Sequence, residues 1–281
     1  MRIIRPPRRS MNASNQAKLF FKRFYIFIVL AIIYIPLIII ILLSFNGQTE
    51  KGNVVINFDI PTAENYIELF KNNEFLNALA NSAIISVIVV PISVIIAIIT
   101  CFGIWNARNS YINSIMGMSK VSVAMPEPIT AISLALLFST TVIPLGFDFG
   151  MFTICLAHIC FCTPYAILSI YPKMQKMNRN LIWASYDLGY SRAKTFFKIV
   201  IPYLAPAILS ASAVTLAMSL DDFIITHFTK GAGLDTLSTK IYTEVKKGIK
   251  PEMYALSTLI FVSVLILLIL VNKLPETERN K

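Results

Sequence analysis

Charge is scarce in this chain of 281 residues: Asp, Glu, Lys and Arg make up only 14% of it, against 56% apolar residues. So little charge excludes an ordinary soluble domain, where about a quarter of residues are charged. Cysteine is scarce too. Cys101, Cys155, Cys160 and Cys162 all lie in apolar stretches, and none stands at ligand spacing from a histidine. They are expected to be small buried residues, with no disulfide framework and no metal site implied. The two histidines, His158 and His227, are isolated in sequence and are read as packing residues. A phosphate-binding loop is missing. The nearest stretch, "GQTEKGNV" (Gly47–Val54), lacks the Lys-Ser/Thr ending. With no nucleophile–base pair or metal cluster in view, a membrane enzyme is disfavoured, and the chain is expected not to be an enzyme. The net charge of +10 suggests nucleic acid at first. The basic residues, however, sit in short segments beside apolar runs, as the positive-inside rule requires, and no nucleic-acid partner is expected.

Long apolar runs are abundant. About 20 apolar residues cross the hydrocarbon core, and six spans are expected: Phe24–Phe45, Ala78–Ile104, Val121–Ile143, Phe149–Tyr171, Leu204–Phe228 and Tyr254–Val271. The third has an alternative start near Ile112. The first is too long for a signal-peptide core, and Arg8-Arg9 stands too far from it for a twin-arginine signal. The fold class is therefore all-α integral membrane protein. The expected organisation is a basic segment 1–23, a transmembrane domain 24–271 and a tail 272–281. Lys and Arg crowd the N-terminus, the second and fourth connections and the C-terminus, which places both termini in the cytoplasm. The fifth connection is an exception: it puts Lys230, Lys240, Lys246, Lys247 and Lys250 on the outer side. The first outer connection, Asn46–Asn77, carries Glu50, Asp59, Glu64, Glu68 and Glu74. It reads either as a solvated loop or as a docking face for something cationic.

Three carboxylates lie in or beside spans: Glu127, Asp221 and Asp222. One acid at the centre of a lipid-facing helix costs roughly 2.5–3.5 kcal/mol on insertion scales. They are therefore expected to face a watery path or a partner. Pro126 and Pro128 flank Glu127, and the carbonyls that prolines free need protein or water nearby. Two plainer readings stand beside this one. Asp221 and Asp222 fall near a span end, where acids can simply cap or solvate a helix, and Glu127 could pair with a neighbouring helix. Adjacent helical residues point about 100° apart, so only one of the Asp pair is expected to face a path.

The segment "LIWASYDLGYSRAKTFFKIVIPYLAP" (Leu181–Pro206) is polar among these runs. Leu181, Ala184, Ser185 and Leu188 share one face of a short helix. Asn180 suits its N-cap, and Gly189 suits a left-handed residue just past its end. Ser191 can cap a second helix, with Ala193, Phe196, Phe197, Val200 and Ile201 on one face and Arg192, Lys194, Thr195 and Lys198 pointing away. Pro202 ends or kinks it. Taken alone, the pattern also fits a helix lying on the lipid surface. Small residues at 184 and 185 would let a partner backbone approach closely.

This segment resembles the cytoplasmic loop motif of importer-type ABC transporter permeases: Glu-Ala-Ala, three residues, Gly, nine residues, Ile, any residue, Leu-Pro. Trp183-Ala184-Ser185, Gly189 and Ile199-Val200-Ile201-Pro202 keep the spacing. Trp183 replaces the Glu, Ser185 an Ala and Ile201 the Leu. "PEPITAISLALLF" (Pro126–Phe138), "SLDDFIITHFTKG" (Ser219–Gly231) and "KIYTEVKKGIKPEMYALSTL" (Lys240–Leu259) resemble the spermidine/putrescine branch of that family, C-type permease subunits. The resemblance implies a type I ABC importer fold in the bacterial plasma (inner) membrane. It implies a coupling loop over about 172–203 that engages the ATPase through Ala184, Ser185, Asp187, Gly189, Ile199 and Pro202. It also marks Tyr66, Glu127, Ser219, Asp221 and Asp222 as polyamine contacts. The implied partners are a second permease, two ATPase subunits that bind ATP and Mg, an extracytoplasmic polyamine-binding protein and membrane lipid. No cofactor is expected in this chain itself. Two rivals remain, a permease of the same fold for another small solute and an ion-coupled secondary transporter.

Overall fold

The computed structural model describes residues 13–46, 61–105, 107–248 and 250–273. The basic residues Arg2–Arg9, the stretch Gly47–Val54 with Glu50, the nearby Asp59, and Arg279 and Lys281 lie outside them. Twelve α-helices are found among the described residues. Five stretches are long and apolar enough to cross a membrane: Phe24–Ser44, Asn73–Trp105, Glu127–Leu145, Met151–Gln175 and Arg192–Asp221. The sixth expected span falls on the 23-residue helix Pro251–Lys273.

The chain divides into two compact units, one of residues 1–71 with 248–281 and one of residues 72–247. In the first, α1 (Ala13–Ser44) and α2 (Glu64–Lys71) pack on α12 (Pro251–Lys273). The end of α1 is closed by side chains from α2. Asn65 Nδ2 donates to the carbonyls of Ser44 (2.9 Å) and Asn46 (2.8 Å). These orphaned C-terminal carbonyls would otherwise need water. Asn46 and Pro61 form an isolated antiparallel bridge beside them.

The second unit is built on three helices, α3 (Asn73–Trp105), α6 (Met151–Gln175) and α9 (Ile201–Asp221). Ala97, Ala166 and Ala211 are fully buried where these helices meet. Small residues allow this close approach, which dispersion then rewards. Ile98, Ile104, Ile167, Ile170, Val200 and Leu204 fill the space around them. Next in the chain, α4 (Asn109–Ala124) leans on α6, and α5 (Glu127–Thr141) packs against α10 (Ile224–Thr229).

Every expected span shifts by some residues at one or both bounds, and two are cut by a break in the helix. The third starts at Glu127, not Val121, because Met125 is extended (φ −70°, ψ 137°). A residue before proline is pushed out of the helical region, so Pro126 separates α4 from α5. The fifth ends at Asp221, not Phe228, because Asp222 is extended (φ −61°, ψ 123°). Cys160 also departs from expectation: it is exposed on α6, while Cys101, Cys155 and Cys162 are buried and all four are free thiols.

Candidate functional site

The break after α9 is organised by Asp222. Its Oδ1 accepts from the Ile225 amide (3.2 Å), and its Oδ2 accepts from the amide and hydroxyl of Thr226 (2.8 Å each). The carboxylate thus caps the first turn of α10, where free amides favour a negative charge. His158 of α6 joins the same group. Its Nε2 lies 2.9 Å from Thr226 Oγ1 and 3.3 Å from Asp222 Oδ2, and its Nδ1 lies 3.1 Å from Ser219 Oγ. Thr226 gives its only hydroxyl proton to Asp222, so Nε2 carries the proton donated to Thr226, and Nδ1 can accept from Ser219. Ser219 in turn meets Ser86 of α3 at 3.4 Å. His158, Ser219, Asp222 and Thr226 are all buried. His158 is therefore not isolated: it ties α6 to both sides of the break. Its partners lie 61 and 68 residues away in sequence, beyond any local pattern.

The five residues marked as polyamine contacts fall in different settings. Asp221 is exposed and Asp222 buried, so the neighbours point apart as helical geometry requires. Glu127 is exposed in the first turn of α5. Ser219 and Asp222 belong to the buried network. Tyr66 lies in the first unit, where its hydroxyl meets Ser44 Oγ at 2.7 Å and its ring tilts against Phe45.

At the end of the second unit that holds the α3 C-terminus, α7 (Asn180–Asp187) and α8 (Arg192–Thr195) form a tight pair. Gly189 has φ +78°, the left-handed region expected of it. The Tyr190 amide donates to the Ser185 carbonyl (3.0 Å) and the Gly189 amide to that of Tyr186 (2.8 Å). These two bonds are the Schellman closure of a helix end. Ser191 Oγ accepts from the Lys194 amide (3.3 Å), so Ser191 caps α8 as expected. Asn180 is not the cap of α7: it is the first helical residue, and Asn178 Oδ1 accepts its amide (2.9 Å).

Thr195 does not point away but is buried, and its hydroxyl meets that of buried Ser185 at 2.8 Å. Phe197, expected on the packed face, is exposed. The reason is a π-helical turn over Phe196–Val200 just before Pro202. An interior proline clashes with the carbonyl four residues back, and the widened turn relieves this while shifting the helical phase. Apolar side chains of α7 and its C-cap are exposed, Leu181 at 45%, Trp183 at 64% and Leu188 at 77%, with Ala184 exposed too; Ser185, expected to share a face with Leu181, Ala184 and Leu188, is instead buried. Asp187 and Gly189 are exposed, whereas Ile199 is half-buried.

The opposite end of α3 carries α11 (Leu237–Lys247). Here Lys240 is buried between Glu74, with which it pairs, and Glu244 (3.2 Å), and its ammonium lies over the Phe75 ring. Lys247 also reaches Glu244 (3.3 Å), and Lys230 pairs with Asp235. Burial opposes the charge of Glu244, but hydrogen bonds from Lys240 and Lys247 outweigh it and hold the carboxyl below its ordinary value. Burial likewise opposes the Lys240 charge, and its bonds to Glu74 and Glu244 raise it above the ordinary lysine value. Sequence reading missed this cluster, because Glu74 lies 166 residues from Lys240.

Known proteins share both the sequence and the fold. Residues 66–275 match the family described as binding-protein-dependent transport system inner membrane component. The chain is 43% identical to the spermidine/putrescine transport system permease protein PotC homolog of Mycoplasma genitalium, over 92% of this chain and 93% of that one. It is 44% identical to the homolog of the same name from Mycoplasma pneumoniae, over 92% of each. In fold it resembles a bacterial ABC transporter involved in the import of the acidic polysaccharide alginate, with a TM-score of 0.73 at 14% identity over 96% of this chain and 99% of that one. The match over residues 66–275, with relatives 43% and 44% identical over 92% of this chain, identifies the chain as a permease of the binding-protein-dependent transport system inner membrane component family.

Proposed function

We propose that this permease is one transmembrane subunit of an ATP-driven ABC importer for polyamines in a bacterial plasma membrane. It pairs with a second, similar permease, two ATPase subunits that hold ATP and Mg, and an extracytoplasmic polyamine-binding protein. The α7–α8 pair lies in the cytoplasm with both termini and docks on the ATPase. The observation that carries this reading is the exposure of the apolar side chains Leu181, Trp183, Ala184 and Leu188 on a helix pinned by the contact of Ser185 with Thr195. A face this apolar on a rigid element suits a protein groove. The names of the two Mycoplasma relatives support the polyamine assignment.

The substrate carries several ammonium groups on methylene links. Exposed Glu127 and Asp221 supply charges for it, and Ser219 and Asp222 hold the break that presents Asp221. Uptake of labelled spermidine and putrescine by cells or vesicles containing the complete complex tests the whole reading. Uptake should stop on ATP depletion and survive collapse of ion gradients; the reverse would make the chain an ion-coupled carrier. Gly189→Val tests the loop. A β-branched residue at positive φ costs about 1–2 kcal/mol, so transport and stimulated ATP hydrolysis should fall together with membrane insertion kept. Normal coupling in that variant would remove the loop from the mechanism.

A further inference from the structure

A cavity of about 550 Å³ lies between the α3 C-terminus and the helix pair, lined among others by Trp105, Arg179, Trp183, Tyr186 and Arg192. Arg179 is fixed there. Its Nη2 donates to the Trp105 carbonyl (3.3 Å), and its guanidinium lies over the Trp105 ring, 5.6 Å from the centroid. Trp183 and Tyr186 meet edge to face at 6.1 Å. No carboxylate among the described residues lines the cavity. Among the described residues, neither arginine takes part in an ion pair. The segment 172–203 holds six Lys and Arg and a single acid, Asp187.

Two guanidinium groups against aromatic walls, with no counter-ion, make a site for an anion on an apolar stem. Guanidinium pairs with carboxylate in a two-bond fork, and the rings accept the methylenes beside it. Trp183 stands where the family motif has a Glu. At this place the chain offers cations and an aromatic lip instead of a carboxylate, so the negative charge must come from the other side of the contact.

We propose that this cavity receives an acidic side chain, Asp or Glu, of the ATPase subunit, held by Arg192 with Arg179 as the fixed second charge. The proposal rests on the reading that the α7–α8 pair docks on the ATPase, and the cavity shares Trp183 with that docking face. An anionic lipid headgroup is the other chemistry that could fill it, and the test separates the two.

The test uses the complete complex in phosphatidylcholine nanodiscs, stripped of ATPase and titrated with purified ATPase at rising salt. Arg192→Glu should weaken rebinding roughly tenfold or more and flatten its salt dependence. Trp183→Glu, which sets a carboxylate beside both arginines, should do the same by occupying them from within. Association with the second permease serves as the folding control for both variants. Leu188→Asp, on the docking face but outside the cavity, should release the ATPase whatever the cavity holds. If Leu188→Asp releases it while Arg192→Glu rebinds like the parent, the cavity proposal falls and the docking reading stands. If none of the three weakens rebinding, both fall. If Arg192→Glu weakens rebinding only after phosphatidylglycerol is added, the cavity holds a lipid headgroup and the proposal is overturned.

Discussion

The two ends of α3 carry the same kinds of side chain in opposite arrangements. At the α11 end, Lys230, Lys240 and Lys247 all find carboxylates within the unit. The backbone there is pinned as well: Asn81 Nδ2 donates to the Asp235 carbonyl (2.9 Å), the Leu237 amide to Ser82 Oγ (2.8 Å), and Ser238 Oγ to the Leu220 carbonyl (2.9 Å). At the α7 end, cations meet ring faces instead: Lys173 on Tyr203, Arg179 on Trp105 and Lys194 on Tyr190. One end sets three of its lysines against carboxylates, and the other sets its cations on ring faces beside exposed apolar side chains. Not every lysine at the α11 end meets a carboxylate: Lys246 lies over the Tyr242 ring, 4.5 Å from its centroid, and Lys240 and Lys247 share Glu244.

The largest effect is expected where the α11 end closes. A Cβ on Gly231 would stand 2.0 Å from the Phe149 carbonyl oxygen and 2.9 Å from its carbon. Neither backbone atom can rotate away, so Gly231→Ala should destabilise the second unit by about 3 kcal/mol, the upper range for overpacking. Yield and thermal stability of the purified permease report it, and a parent-like variant would mean that this junction is loose.

The break after α9 gives a smaller effect and sharpens the contrast between neighbours. Asp222→Asn turns an acceptor of several bonds into a group that must donate, and should cost about 1–3 kcal/mol of stability. Asp221→Asn should leave stability unchanged and lower the initial rate of polyamine uptake. Equal losses of stability in the two would contradict their different placement.

The smallest effect is the pH response of the α11 cluster. The Glu244 carboxyl is lowered on folding, so its stabilisation is present above the ordinary carboxylate value of about 4.3 and lost as pH falls through the lowered one. Lys240 is raised, so its share is present below about 10.4 and lost as pH rises through the raised value. Lys240→Met should remove most of this dependence at both extremes, a small effect because solvent around Glu74 screens the pair. Thermal unfolding at several pH values in parent and variant checks it.

Hydropathy made the spans legible because a bilayer demands long apolar runs. Gly189 was legible because only a residue tolerant of positive φ fits just past a helix end. The phase of the following helix was not, since the π turn before Pro202 slips the periodicity and turns Thr195 inward and Phe197 outward. His158 could not be read either, because Ser219, Asp222 and Thr226 reach it only through the packing of α6 on α9 and α10. The sequence did imply that Asp221 and Asp222 diverge. Which of them is buried depends on where the helix breaks, and that is decided by the amides of α10 that Asp222 caps.

The contrast between the two ends is tested most directly by thiol labelling. Leu188→Cys and Lys246→Cys, each in a Cys160→Ser background that removes the exposed native thiol, would be treated with an impermeant maleimide in sealed membranes. Leu188→Cys should react only from the cytoplasmic side and become protected when the ATPase binds. Lys246→Cys should react only from outside and ignore the ATPase. Labelling of Leu188→Cys from outside, or labelling unchanged by bound ATPase, would contradict the assignment of the α7 end as the docking end.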